Sequence, residues 1–175
     1  MIWSKWLQTF FMHKNSRRII FGLGSNLGDR KNNLMHAIKA LKTELFLVNI
    51  KQSRILISKA LLKPDAPQEW DLDFFNIALS ADINMQKFPP EKILEITQSI
   101  ERKLGRKANE NKILWAPREI DIDILAIENL IIDLGDKLKI PHQSLLQRDF
   151  FLKPMAEIEP NWQYPNKNSE PFGIY

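Results

Sequence analysis

The chain has 175 residues, 44% of them hydrophobic and 26% charged, and it contains no cysteine. That length suits one globular domain with its own core, and the lack of Cys excludes disulfides and thiolate metal sites and points to a reducing cytoplasm. The net charge of +4 does not mark a nucleic-acid-binding body: Lys5, Lys14, Arg17 and Arg18 precede the first acid, Asp29, and the remaining 21 of the 25 basic residues are matched by 21 acidic ones, whereas a nucleic-acid-binding domain holds its excess charge on the folded part.

In chain order, residues 1–17 read as a basic, Trp-rich extension and 18–175 as the folded domain. The extension carries Trp3, Trp6, Leu7, Phe10 and Phe11. Its apolar stretch is short and broken by Lys5, so it is no transmembrane helix and no membrane partner is expected. It lacks the leading positive charge and cleavage site of a secretory signal. It reads as an unstructured leader, with an interfacial helix as the alternative.

Arg18 to Gly22 is a short apolar run, the pattern of a buried strand, and Gly24-Ser25-Asn26-Leu27-Gly28-Asp29 follows as a turn. Leu34, Ile38, Leu41 and Leu45 recur at helical spacing, with Asp29 or Asn32 as the N-terminal cap. Residues 46–58 are β-like, with a change of phase near Ser53 that predicts a bulge or twist. Residues 58–73 hold two prolines and four acids without a period, a long loop. Phe75, Ile77, Leu79, Ala81 and Ile83 alternate as a half-buried strand. Phe88-Pro89-Pro90-Glu91 opens a second helix whose inner face is Ile93, Thr97, Ile100 and Leu104 and whose end is Gly105. A second long loop runs to Glu119, and residues 120–127 form another alternating strand. The remainder, with Pro141, Pro154, Pro160 and Pro165, predicts short elements only. The order β-α-β-β-α-β is the ferredoxin-like arrangement of an α+β domain, an antiparallel sheet with helices on one face, here with two long loops of the kind that form lids or binding loops.

The chemistry-bearing residues gather around those loops. Gly22-Leu23-Gly24 lacks the third glycine of a dinucleotide fingerprint, since position 27 is Leu27, and there is no P-loop. Asp121 and Asp123 stand at i and i+2 of a strand, on one face and about 6–7 Å apart, while Ile120, Ile122 and Ile124 face the core. Such a pair raises one carboxyl pKa unless a cation lies between the two, and hard oxygens suit Mg²⁺ carrying substrate phosphates. The bland alternative is a solvated strand face. Arg118 lies three residues upstream and Arg106 opens the same loop; guanidinium forks match phosphate oxygens. Phe74 and Asn76, again i and i+2, could stack a flat heterocycle and read its edge, or be covered by a loop. His142, after Pro141, is a lone histidine of the kind that is usually structural. Gln98 and Glu101 share a helix face that by itself reads as solvated.

Taken together and in order, Gly24-Ser25-Asn26-Leu27-Gly28, Phe74-Phe75-Asn76, Ile100-Glu101 with Gly105-Arg106, Trp115-Ala116-Pro117-Arg118-Glu119-Ile120-Asp121-Ile122-Asp123, and Ile140-Pro141-His142 through Arg148-Asp149-Phe150 resemble the hydroxymethyldihydropterin pyrophosphokinase family over residues 19–165. The resemblance implies transfer of a diphosphate from ATP to 6-hydroxymethyl-7,8-dihydropterin in folate synthesis, with two Mg²⁺ ions on Asp121 and Asp123. It implies that Arg106 and Arg118 are catalytic and touch phosphates, and that Gln98, Ile124, Lys137, His142 and Arg148 contact the nucleotide. Phe74 and Phe150 would sandwich the pterin, with Asn76, Ser58 and Trp115 around it and Glu101 in support. ATP and the pterin are then the partners, with fusion to or association with the next folate enzyme also implied. The pattern departs from the family's at Phe74, where Tyr is common; at Leu114, where a basic residue is usual; at Lys139, in place of a small hydroxyl residue; and in a slightly longer 105–115 segment. The rival reading is a ferredoxin-like nucleic-acid-binding module using Phe74 and Phe150 to stack bases; the neutral body and central acid pair oppose it. A non-catalytic interaction domain is the third.

Overall fold

The computed structural model describes residues 15–106 and 116–165. Strand β1 (Ser16–Ser25) is the centre of the sheet. Its alternation sends Ile19, Phe21 and Leu23 into one core and Ile20 into another on the opposite face. Helix α1 (Arg30–Glu44) starts at Asp29, whose carboxylate accepts the N–H of Asn32 at 3.1 Å, and it buries Leu34, Ala37 and Leu41.

The β-like stretch after α1 is two strands, β2 (Val48–Gln52) and β3 (Leu56–Ser58). They separate at Ser53, whose backbone N–H and hydroxyl both bond to the Ala78 backbone. The expected phase change is therefore real. A second irregularity lies between Val48 and Lys51, with Asn49 at φ 51. Phe46 lies before the strand, at φ 52. Both strands pair antiparallel with β4 (Phe74–Asn84).

Helix α2 (Pro90–Lys103) begins with its proline in the first turn and buries Ile93, Thr97, Ile100 and Glu101. Strand β5 (Asp121–Ile127) closes the sheet, whose order is β2-β4-β1-β5 with every pair antiparallel and β3 alongside β4. A small ladder of β6 (Ile132–Asp133) and β7 (Lys139–Ile140) follows, then helix α3 (Asp149–Ile158). This is a mixed α/β domain with an antiparallel sheet and, among the described residues, three α-helices. None of them is long and apolar enough to cross a membrane.

The structure corrects the sequence reading in two places. Helices lie on both faces: α1 and α2 cover one, while α3 lies on the other, where Phe151, Met155 and Ile158 pack with Ile20, Ala78, Leu125 and Ala126. Pro154 sits inside α3, where a proline costs about 3 kcal/mol, and it masked the helix in the sequence. Burying three large side chains contributes about 1.5–3 kcal/mol each and outweighs it. The folded part also begins before Arg18. Ser16 and Arg17 belong to β1, opposite Asn84 and Ile83, because Arg17 and Arg18 find the acids Glu128, Asp82 and Glu159. Arg17, one of the basic residues assigned to the extension, is thus paired within the domain, as is Arg18.

Candidate active site

Helix α3 covers only part of its sheet face. Beyond its N-terminal end the strands carry a cleft of about 230 Å³. Register builds it. Asp121 of β5, Gly24 of β1 and Asn76 of β4 are paired across three adjacent strands, and Asp123 and Ala78 flank Gly22 in the neighbouring row. Adjacent strands are roughly 4.8 Å apart, so Asp121 and Asn76 stand about 10 Å from each other across the glycine. Gly24 forms the floor, and Gly22 lies beside it beneath Phe151. A Cβ on Gly24 would come within 3.2 Å of Asn76 Oδ1 and 3.3 Å of Phe74 Cδ1, and one on Gly22 within 3.1 Å of the Phe151 ring. That pair, which fails as a dinucleotide motif, is explained by close approach of side chains.

One wall is aromatic and amide. Phe74, Asn76, Ser58 and Phe150 line it together with Lys59, Ala60 and Leu61. Asn76 is 4% exposed and donates through Nδ2 to Ser58 Oγ at 3.0 Å, which leaves its carbonyl oxygen for a ligand or the Gly24 backbone edge. Phe150 meets Phe151 edge-on with centroids 4.7 Å apart. The Arg148 guanidinium lies over both rings, 5.6 and 5.5 Å from the centroids.

The other wall is ionic. Asp121 Oδ1 receives both Arg106 Nη1 at 2.9 Å and Arg118 Nη1 at 3.0 Å. Arg106 also pairs with Glu101, which is buried in α2 and accepts the N–H of Ile122 at 2.7 Å. Among the described residues Asp123 has no arginine within a salt-bridge distance, and its nearest base is His142 Nε2 at 3.7 Å. His142 Nδ1 accepts the N–H of Ser144, so a neutral ring carries its proton on Nε2, toward Asp123. Burial, and next the charge of Asp121, push the Asp123 carboxyl up to about 7, and burial with Asp121 does the same to Glu101. Burial, then the charge of Arg148, holds His142 below its ordinary value. The acids are crowded beyond what the arginines neutralise.

A hard divalent cation fits that crowding. Among the described residues no group of three or more His, Asp or Glu side chains could hold a metal alone. Mg²⁺, however, needs only one or two carboxylates when phosphates supply the rest, and Asp121 and Asp123 provide two on one strand face.

Of the residues expected at a site, Ser58, Phe74, Asn76, Arg118, Asp121, Asp123, Arg148 and Phe150 line the cleft. Arg106, Glu101 and His142 join it through Asp121 and Asp123. Three do not gather there. Gln98 is exposed on α2 and Lys137 is exposed between β6 and β7. The Ile124 side chain is 4% exposed in the opposite core, which leaves only its backbone for a ligand. Trp115 lies outside the described residues. Glu101, read as solvated from its spacing, is buried because α2 turns it inward toward β5. Sequence reasoning missed Gly24, Lys59 and Phe151. The glycine spacing at 22 and 24 was the available signal for Gly24, and nothing local marks the other two.

A mixed α/β domain with an antiparallel sheet thus presents an acid pair, convergent arginines and an aromatic-amide wall in one cleft. The model of the family described as 7,8-dihydro-6-hydroxymethylpterin-pyrophosphokinase matches residues 20–160, and the chain belongs to that family. It is 40% identical over 152 residues to the folate synthesis bifunctional protein of Chlamydia caviae, covering 87% of this chain and 32% of that one. It is 39% identical over 151 residues to the 2-amino-4-hydroxy-6-hydroxymethyldihydropteridine pyrophosphokinase of Aquifex aeolicus, covering 84% and 83%. A crystal structure of wild-type Plasmodium falciparum HPPK-DHPS shares the fold, with a TM-score of 0.56 at 14% identity over 87% of this chain and 43% of that one. The chain spans 30–33% of the length of the three chlamydial bifunctional proteins it matches.

Proposed function

We propose that this protein transfers a diphosphate from ATP to 6-hydroxymethyl-7,8-dihydropterin, giving the pterin diphosphate and AMP in folate synthesis. The observation that carries this reading is the two-walled cleft: Asp121, Asp123, Arg106 and Arg118 across the Gly24 floor from Phe74, Asn76 and Phe150. One wall suits a triphosphate, the other a flat heterocycle with a hydrogen-bonding edge.

In the reaction the pterin hydroxyl oxygen loses its proton to solvent and bonds to the β-phosphorus of ATP, the bond from that phosphorus to the bridging oxygen of AMP breaks, and AMP leaves with that oxygen. Asp121 and Asp123 would hold two Mg²⁺ ions together with the phosphates, and these would supply charge neutralisation and acidify the attacking hydroxyl. Arg106 and Arg118 exchange Asp121 for phosphate oxygens, where charge develops in the transition state. Arg148 and His142 complete the nucleotide side. Phe74 and Phe150 clamp the pterin ring and Asn76 reads its edge, so the hydroxyl is held in line.

The strand order supports a ferredoxin-like sheet, with the segments 58–73 and 105–119 as catalytic loops that exclude water. The catalytic unit is the body from β1 onward, acting in the cytoplasm, and the bifunctional relatives support fusion to or association with a second folate enzyme. The test is AMP release from ATP and Mg²⁺ with and without the pterin alcohol. AMP that appears only with the alcohol supports the activity; equal release in both, or none in either, refutes it.

A further inference from the structure

The turn after β1 bonds to Arg118 of one wall and to Leu72 and Asp73, which lead into the other, and Asn26 is its pivot. The side chain is 4% exposed. Its Oδ1 accepts the Arg118 N–H at 2.8 Å, and its own N–H donates to the Arg118 carbonyl at 3.2 Å. Arg118 is 92 residues away in sequence, yet it is gripped at both backbone groups by this one residue. The remaining polar group of Asn26, Nδ2, points to the Leu72 carbonyl at 3.5 Å, a long contact. Arg30, from the same turn, reinforces it: Nη1 donates to the Asp73 carbonyl at 2.8 Å, and the guanidinium lies 3.9 Å from the Phe75 ring centroid. Asn33 braces the turn through Ser25 Oγ and the Leu27 carbonyl.

From this geometry, and resting on the activity proposed above, we infer that Asn26 is a positioning residue that locks the backbone of Arg118 to the end of the segment leading into Phe74. The lock has a physical logic. Arg118 must let go of Asp121 and take hold of a phosphate, so its side chain has to move while its Cα stays fixed. A carboxamide can do this because it offers an acceptor to the N–H of Arg118 and a donor toward Leu72 at once. A purely apolar residue would leave the Arg118 N–H unpaired in a largely buried place, at the cost of a desolvated donor. Because the same residue faces Leu72, two positions before Phe74, the phosphate arm and the acceptor wall share one anchor, and the alignment of hydroxyl and β-phosphorus is set by it. Misplacement by about 1 Å at such a point costs about a hundredfold in rate.

The experiment compares Asn26→Ala, the isosteric Asn26→Asp, Arg118→Ala and the double variant Asn26→Ala/Arg118→Ala with wild type. Steady-state constants are measured for both substrates, and hydrogen exchange at the Arg118 amide is followed in the ligand-free protein. Asn26→Ala should lower kcat about 10–100-fold while the KM for ATP moves less than about threefold. Asn26→Asp, which keeps the acceptor for Arg118 but loses the donor toward Leu72, should recover part of that loss and leave exchange at the Arg118 amide as in wild type. In the Arg118→Ala background the alanine at 26 should add nothing further, since coupled residues are non-additive. Exchange at Arg118 should quicken in Asn26→Ala. Losses that multiply in the double variant, or a change confined to the KM of the pterin alcohol, would overturn the positioning role. If Asn26→Ala fails to fold, Asn26→Asp decides: kcat as low as that of Arg118→Ala overturns the inference. A wild-type protein that releases no AMP sinks the proposed activity, whereas unchanged exchange at Arg118 sinks the lock alone.

Discussion

Two charged clusters lie one beyond each end of α3, the second reaching Glu101 of α2 past the edge strand β5, and they are built on opposite terms. Past the C-terminal end, Arg18 donates to Asp82 and to Glu159, each below 3 Å, while Glu159 also accepts Ser80 Oγ at 2.7 Å and stands 3.3 Å from Lys51 Nζ. There the hydrogen bonds from Ser80 and Arg18 outweigh burial and hold the Glu159 carboxyl below its usual range. Past the N-terminal end, Glu101 and Asp123 are held well above theirs. The first cluster is satisfied by what the chain supplies. The second has three acids, Glu101, Asp121 and Asp123, near one another, with two arginines committed to the same oxygen of Asp121. A satisfied cluster joins α3 to the sheet; a crowded one stores a preference for something the chain lacks, a cation and an anion that bind together. Perturbation of this kind, in a cleft, is what functional sites impose.

The comparison can be broken most severely at the acids. Asp121→Asn and Asp123→Asn should each lower turnover by at least about a hundredfold, the scale of removing a principal charge-stabilising group. The melting temperature of the ligand-free protein should hold or rise in Asp123→Asn, where like-charge repulsion is relieved, and fall in Asp121→Asn, which loses the ion pairs to Arg106 and Arg118. Steady-state assay beside thermal denaturation checks both. A variant that turns over normally at ordinary Mg²⁺ would remove Asp121 or Asp123 from the metal assignment.

Next come the arginines. Arg106→Ala and Arg118→Ala should lower kcat by about tenfold to a hundredfold with little change in the KM for ATP, because the exchange from Asp121 to phosphate is realised in the transition state. A rise in KM alone would make them simple anchors for ATP. On the opposite wall, Phe74→Ala and Phe150→Ala should weaken pterin binding by about 1–3 kcal/mol each, the range for losing a stacked base. Calorimetric titration with the pterin, and separately with an ATP analogue, tells the two walls apart: loss of nucleotide affinity with pterin affinity intact would reverse the assignment.

The smallest effects sharpen the contrast through pH. Glu101 and Asp123 have folded pKa values of about 7, above those of the unfolded chain. Between about pH 4 and 7 the folded protein holds protons that the unfolded one has lost, so this end of α3 loses stability as pH rises through that window. Glu159 has the opposite sign: its depressed pKa adds stability above the ordinary glutamate range, which is lost on acidification. Melting temperature against pH should therefore flatten on its neutral side in Glu101→Gln and on its acid side in Glu159→Gln. Arg18→Ala should cost about 2 kcal/mol, the scale of a charged hydrogen bond left unpaired, at every pH where Glu159 is ionised, without altering kcat. Identical pH profiles for the two glutamine variants would show that the ends of α3 do not differ as described.

Much of this was legible in the sequence for local reasons. Period-2 alternation in β4 and β5 placed Phe74 with Asn76 and Asp121 with Asp123 on one face, and period-3.6 spacing with Asp29 and Pro90 delimited α1 and α2. What misled was also local. Pro154 concealed a helix whose stability comes from contacts with Ile20 and Leu125, far off in the chain. Glu101 looked solvated because helical spacing tells which residues share a face and says nothing about what the face meets.

The sequence by itself determined which residues share a face, where helices start, and that acids, arginines and aromatics of a phosphate-and-heterocycle site were present in family order. Those are properties of spacing and residue type, carried by short segments. Only the tertiary structure decided that α3 would cover part of one sheet face and leave the rest as a cleft, and that Gly24 would be its floor. It also decided that Arg106 and Arg118 would meet on one oxygen of Asp121, and that Asn26 would hold Arg118 from 92 residues away. Strand register and desolvation fix these contacts, and both arise only when distant segments pair and exclude water together.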